Sequence, residues 1–199
     1  MLHPVPPEPP SLQAQLHDEL YREGCQILRP YLPLVNGITP GKPVDLDDIE
    51  RGRRLLTRAL DLSPNNWSAY WFLGMAARVA GYKDQAYEAF CRAWAINPNH
   101  VDVGRELVLQ CCINGRGAEA VQVSGKVLGL KPDDAGLLSN HALALLLAGE
   151  VGRARFFASK ATVAAPDNVA AQGVAQVIED VIFGRMPRPT KWPWDEPEA

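Results

Sequence analysis

The sequence predicts an all-α fold, a solenoid of antiparallel helix pairs. Three observations carry that expectation. Prolines stand at Pro64, Pro98, Pro132 and Pro166, and each successive difference is 34 (98 − 64, 132 − 98, 166 − 132). Glycines Gly81, Gly115 and Gly149 keep the same period, as do Ala86, Ala120 and Ala154. Ala59, Ala93 and Ala161 hold a third register, with Val127 in the remaining slot. A fixed period of about 20 to 50 residues marks stacked units that each bury their apolar face against a neighbour.

Each mark has a mechanism. Proline ends one helix, and an Asn or Asp that follows (Asn65 or Asn66, Asn99, Asp133 or Asp134, Asp167 or Asn168) caps the next. Glycine suits the left-handed position at the end of a first helix. Alanine lets two antiparallel helices approach closely. A unit therefore reads as helix, short turn, helix, turn.

Taken in order, residues 1–10 are rich in proline and should be disordered or extended. Leu12, Leu16, Leu20 and Ile27 or Leu28 recur at near-helical spacing, which predicts a helix from about Leu12 to Arg29. Pro33, Gly37, Pro40, Gly41 and Pro43 then exclude a helix, so residues 11–46 make an N-terminal helix and a long loop. That helix is expected to cover the N-terminal end of the stack. Asp47 to Leu62 should be the second helix of a partial unit, with Asp47 as N-cap and Glu50 three residues on. Full units follow at Trp67–His100, Val101–Asp134 and Ala135–Asn168. Val169 to Phe183 carries Val174, Val177, Ile178, Val181 and Ile182, as a capping helix should. The array spans residues 47–184, and residues 185–199 form an extended tail with Trp192 and Trp194.

Composition and motifs narrow the function. Over 199 residues, 20 basic and 23 acidic side chains leave a net charge of −3, which gives no support for a nucleic-acid partner. No segment approaches the roughly 20 apolar residues that span a bilayer, and the N-terminus lacks a signal-peptide pattern. The expected location is cytoplasmic. Cys25, Cys91, Cys111 and Cys112 should be reduced, packed thiols. His3, His17, His100 and His141 have no metal-ligand spacing, and His141 falls where a side chain packs between the helices of a unit. Gly115-Arg116-Gly117 falls at a repeat turn rather than in a phosphate loop. The basic set Arg51, Arg53, Arg54 and Arg58 reads as the solvated face of one helix. No catalytic residue, metal or cofactor is expected, so the chain reads as a non-enzyme.

Leu73-Gly74, Gly81, Ala86, Phe90, Ala93 and Pro98 together resemble the tetratricopeptide repeat. The second unit keeps Leu107, Gly115, Ala120 and Pro132, with Val108 in place of Gly74 and Ser124 in place of Phe90. The third keeps Ala142, Leu145, Gly149, Ala154, Ala161 and Pro166, with His141 in place of Leu73. The resemblance covers roughly residues 47 to 183. It implies a right-handed superhelix whose concave wall is formed by the first helix of each unit. By position, Trp71, Phe72, Met75, Arg78, Arg105, Leu109, Asn140, Leu143 and Leu146 should face a partner there. Members that grip a carboxylate use Lys and Asn where this chain has Trp71 and Phe72, so that function is not expected. The implied function is a scaffold or adaptor that binds a protein or peptide in the groove. Two alternatives are a cargo holder resembling class II type III secretion chaperones and a homo-oligomeric structural protein. Trp192 and Trp194 are expected to dock locally on the capping helix, to enter a groove of this chain or of a neighbouring one, or to form a linear motif.

Overall fold

The computed structural model describes residues 11–32 and 43–194. The expectations for residues 1–10, for most of the long loop and for the last five residues of the tail lie outside them. Among the described residues there are nine α-helices and no strand. They are α1 (Leu12–Leu28), α2 (Leu46–Leu62), α3 (Trp67–Val79), α4 (Lys83–Ile96), α5 (Val101–Ile113), α6 (Gly117–Leu130), α7 (Ala135–Leu147), α8 (Val151–Ala164) and α9 (Val169–Ile182). A single 3-10 turn, Arg29–Tyr31, follows α1. Helices pair as α1 with α2, α3 with α4, α5 with α6 and α7 with α8, while α9 packs on α7 and α8.

The punctuation works as its chemistry requires. The side chains of Asn66, His100, Asp134 and Asn168 accept the backbone N–H of Ala69, Val103, Leu137 and Ala171, so one cap recurs at the start of each odd-numbered helix from α3. His100 does this through Nδ1, although an imidazole is an unusual cap. Asn99, its neighbour in the expected caps, is not used. At the other end of those helices, Gly81, Gly115, Gly149 and Gly184 have φ of 81, 70, 88 and 68°. The residue after each glycine donates its N–H back five residues, to Ala77, Cys111, Leu145 and Asp180, at 2.8 Å every time. Asn168→Ala should cost about 1 kcal/mol, the usual value of a lost N-cap, and should fray α9 first in hydrogen exchange. Unchanged protection of the first turn of α9 would contradict it.

The first pair departs from the expectation in one detail. The N-cap of α2 is Asp45, not Asp47: its backbone is extended and its carboxylate accepts the N–H of Asp47 and Asp48 at 3.0 and 3.3 Å. Asp47 and Asp48 instead fill the first turn, where negative charge suits the helix dipole. Glu50, free of a capping role, pairs with Arg53 at 2.6 Å. Helix α1 lies against α2 so closely that a Cβ on Gly52 would fall 2.5 Å from Leu28 Cγ. It also reaches α3, where the Tyr21 hydroxyl meets Ser68 Oγ at 2.7 Å and the His17 ring meets the Asn66 side chain at 3.2 Å. It therefore supplies the first helix of the N-terminal pair.

The core runs continuously from Leu28 to Ile178. Ala59, Ala93, Ala120, Ala154 and Ala161 are fully buried, as close helix approach demands. The four cysteines are free thiols, three of them buried. Burial pushes Cys25 up to about 11 and Cys112 up to about 12, and raises Cys91 and Cys111 as well, which leaves them poor nucleophiles.

Candidate functional site: the concave face

Helices α3, α5, α7 and α9 line one face of the array, and their side chains repeat in rows 34 residues apart. The structure sorts the expected wall residues into three groups. Phe72, Met75, Leu143 and Leu146 are 8, 1, 2 and 0% exposed, so they are core rather than open wall. The reason is geometric: in a solenoid each wall position also lies against the next helix, and large apolar groups there sink into the joint. Trp71, Leu109 and Asn140 are half-buried and keep part of their surface.

The third group is charged. Arg78 and Glu106 form an ion pair between α3 and α5 with both side chains largely buried, and Arg78 also donates to Met75 Sδ at 3.0 Å. Its guanidinium lies 5.3 Å from the centre of the Phe90 ring. Arg105 reaches Asp134 at 3.4 Å. Both arginines, expected to face a partner, are engaged within the chain. Each still has one buried donor without a partner among the described residues (Arg78 Nη1 and Arg105 Nε), as does Trp71 at Nε1.

The other half of the face is already occupied. After α9 the chain turns at Gly184, and Arg185 Nε donates to Asp180 Oδ1 at 2.6 Å. That contact lowers the Asp180 carboxyl below its ordinary range. Arg188 Nη1 donates to the carbonyl of Leu147 at 2.7 Å and reaches that of Leu146 at 3.4 Å, at the electronegative end of α7. Trp192 N–H donates to the carbonyl of Cys112 at 2.9 Å, at the end of α5. The Trp192 ring packs on the core and meets Trp194 edge to face at 4.9 Å. Trp194 turns back to α9, where a Cβ on Gly173 would lie 3.8 Å from its ring. The sequence pointed to these tryptophans either as groove ligands or as docking locally on the capping helix. It gave no sign of Arg188, whose role depends on which helix ends lie across the fold.

Among the described residues no group of three or more His, Cys, Asp and Glu could hold a metal ion. No helix among them is long and apolar enough to cross a membrane. His141 lies behind the wall in the core, with its Nδ1 2.7 Å from Ser124 Oγ.

No protein-family model matches the sequence, and no curated protein is significantly similar to it. Solved structures are similar in fold. MamA (residues 41 to the end) from Desulfovibrio magneticus RS-1 has a TM-score of 0.67 at 16% identity, covering 87% of this chain and 87% of that one. YrrB, described as a TPR protein with an unusual peptide-binding site, has a TM-score of 0.62 at 15% identity, covering 88% and 84%. The Thermobaculum terrenum O-GlcNAc transferase has a TM-score of 0.56 at 18% identity over 77% of this chain, which spans only 27% of that enzyme's length. What these proteins share with the chain is architecture, and the chain has the tetratricopeptide-repeat fold, an α-solenoid of antiparallel helix pairs.

Proposed function

We propose that this protein is a non-catalytic scaffold that binds an extended segment of a partner protein along its concave face. One observation carries the reading: that face already holds a non-helical segment, the chain's own tail, through main-chain carbonyls and an aromatic contact. Main-chain recognition suits extended ligands because it needs no match of side chain to side chain. The stretch around Trp71, Leu109 and Asn140, all half-buried, continues the same surface. The likeness to a protein described by its peptide-binding site supports the same reading. The working compartment in this proposal is the cytoplasm, and the ligand is a protein or peptide rather than nucleic acid.

The test compares wild type with a Trp71→Glu, Leu109→Glu variant checked for folding by circular dichroism. Partners captured from native cells would be identified by mass spectrometry, and their affinities measured with purified components. A partner held by wild type and weakened at least tenfold in the variant is the expected result. Equal binding by both would move the site off the concave face.

A further inference from the structure

The tail does more than lie in the groove: it follows the repeat. Its contacts fall on Asp180, Leu146 and Cys112, which are one wall row at intervals of 34. The contacting tail residues are Arg185, Arg188 and Trp192, so the chain spends three to four residues per helix. Packed helices lie about 8–10 Å apart, a step that three to four residues of this bent, non-helical chain cover. The tail's side chains fit the wall as well. Arg188 meets the Leu147 carbonyl at the end of α7, and Trp194, 44% exposed, lies over the wall where α9 has Gly173 while α3 has Trp71 and α5 has Arg105.

Building on the groove-scaffold reading, we infer that residues 185–194 are a resident ligand: they show the chemistry of the partner and compete with it. The partner segment is non-helical, carries an arginine, and four residues later begins a tryptophan–proline–tryptophan cluster that turns like Trp192-Pro193-Trp194. It runs from α9 towards α5 and takes the same carbonyls. The exit from α9 favours occupancy within one chain over exchange between copies. Gly184 has φ of 68°, Arg185 N–H returns to the Asp180 carbonyl at 2.8 Å, and the Arg185 guanidinium holds the Asp180 carboxylate. Those contacts aim the tail back at its own wall. A tethered segment acts at an effective concentration of the order of millimolar, so the tail sets a threshold that an incoming ligand must exceed.

The experiment uses the full chain and a fluorescein-labelled peptide of residues 185–199 as probe. Three proteins are titrated by anisotropy: wild type, an opened variant (Arg188→Ala, Trp192→Ala, Trp194→Ala), and the opened variant with Gly173→Leu. Arg188→Glu alone is a fourth, because it alters one exposed side chain and leaves every helix untouched. The opened variant should bind the peptide at least tenfold more tightly than wild type, with Arg188→Glu shifted in the same direction. Gly173→Leu should remove that gain by filling the Trp194 space. Equal binding by wild type and both opened proteins, or no binding by any, overturns the inference. So does a wild-type dimer in sedimentation that dissociates when the tail is opened, because the occupant would then be a second copy. A partner captured equally by wild type and Arg188→Glu would leave the scaffold reading standing and sink this one. A wild type that captures nothing through its wall, yet whose opened variant binds the peptide, would do the reverse.

Discussion

Phe90→Ala is expected to lose about 3–5 kcal/mol of unfolding free energy, the usual cost of emptying a phenylalanine site in a core. The ring is 0% exposed and has no surface from which solvent could refill the space. It is also tightly held: a Cβ on Gly74 would lie 2.7 Å from Phe90 Cε1, so α3 and α4 approach as closely as glycine permits. Collapse around the missing ring would require moving that helix pair. It would also remove the surface beneath Arg78, whose pair with Glu106 links α3 to α5. In a solenoid each unit is stabilised by its neighbours, so the weakened pair sits between two others and cannot fray away harmlessly. Urea denaturation followed by circular dichroism measures the loss. A loss under about 1 kcal/mol, or an unchanged midpoint, would mean that the α3–α4 joint is not the packed centre described here.

The period of 34 made most of the fold legible because its marks act locally. A capping side chain, a glycine with positive φ and a helix-ending proline each work within a few residues of their own position. The sequence could therefore place α3 to α9 closely. The Asp45 cap was missed because Asp45, Asp47 and Asp48 all suit a helix start, and only backbone geometry chooses among them. The wall was legible as a set of positions but not as a surface. Met75 and Leu109 occupy one row, yet Met75 is core and Leu109 is half-buried. That difference comes from the neighbouring helices and from the charged pair beside Met75, which connect residues 28 apart in sequence.

The tail illustrates the same limit from the other side. Its tryptophans stood out because large apolar rings with no helix to pack on must be covered by something. Arg188 did not stand out, since one arginine among 20 basic residues carries no signal of its own. Its meaning comes from the end of α7, where the Leu147 carbonyl accepts its guanidinium and the dipole favours a cation. A solenoid creates such ends at regular spacing on one side of the groove. An extended segment with donors at matching intervals can read them whatever the wall side chains are, and specificity then falls to aromatic groups such as Trp194.

Ser124→Ala is expected to cost about 1–3 kcal/mol, and adding His141→Leu should recover most of that loss. Both residues break the repeat, Ser124 standing where the first unit has Phe90 and His141 where it has Leu73. Read along the chain they look like two defects. In the fold they are one device: the Ser124 hydroxyl donates to the Val121 carbonyl at 3.2 Å, so its oxygen accepts the proton on His141 Nδ1 at 2.7 Å. The imidazole face is closed by Phe157, edge to face at 4.6 Å. Ser124→Ala strands a buried N–H, while His141→Leu restores the residue used in the other units and leaves the serine bonded to Val121. The sign of the pH dependence follows from the same pocket. Burial lowers the His141 pKa, and the Arg153 charge lowers it further, so the folded state keeps the ring neutral where the unfolded chain, titrating near 6.5, takes up a proton. The contribution is fully present above about pH 6.5 and is lost as pH falls through that value towards the folded pKa. Melting temperatures measured between pH 7.5 and 5.5 should therefore fall more steeply in wild type than in His141→Leu. Parallel curves, or additive losses in the double variant, would mean that the two residues do not act as a pair.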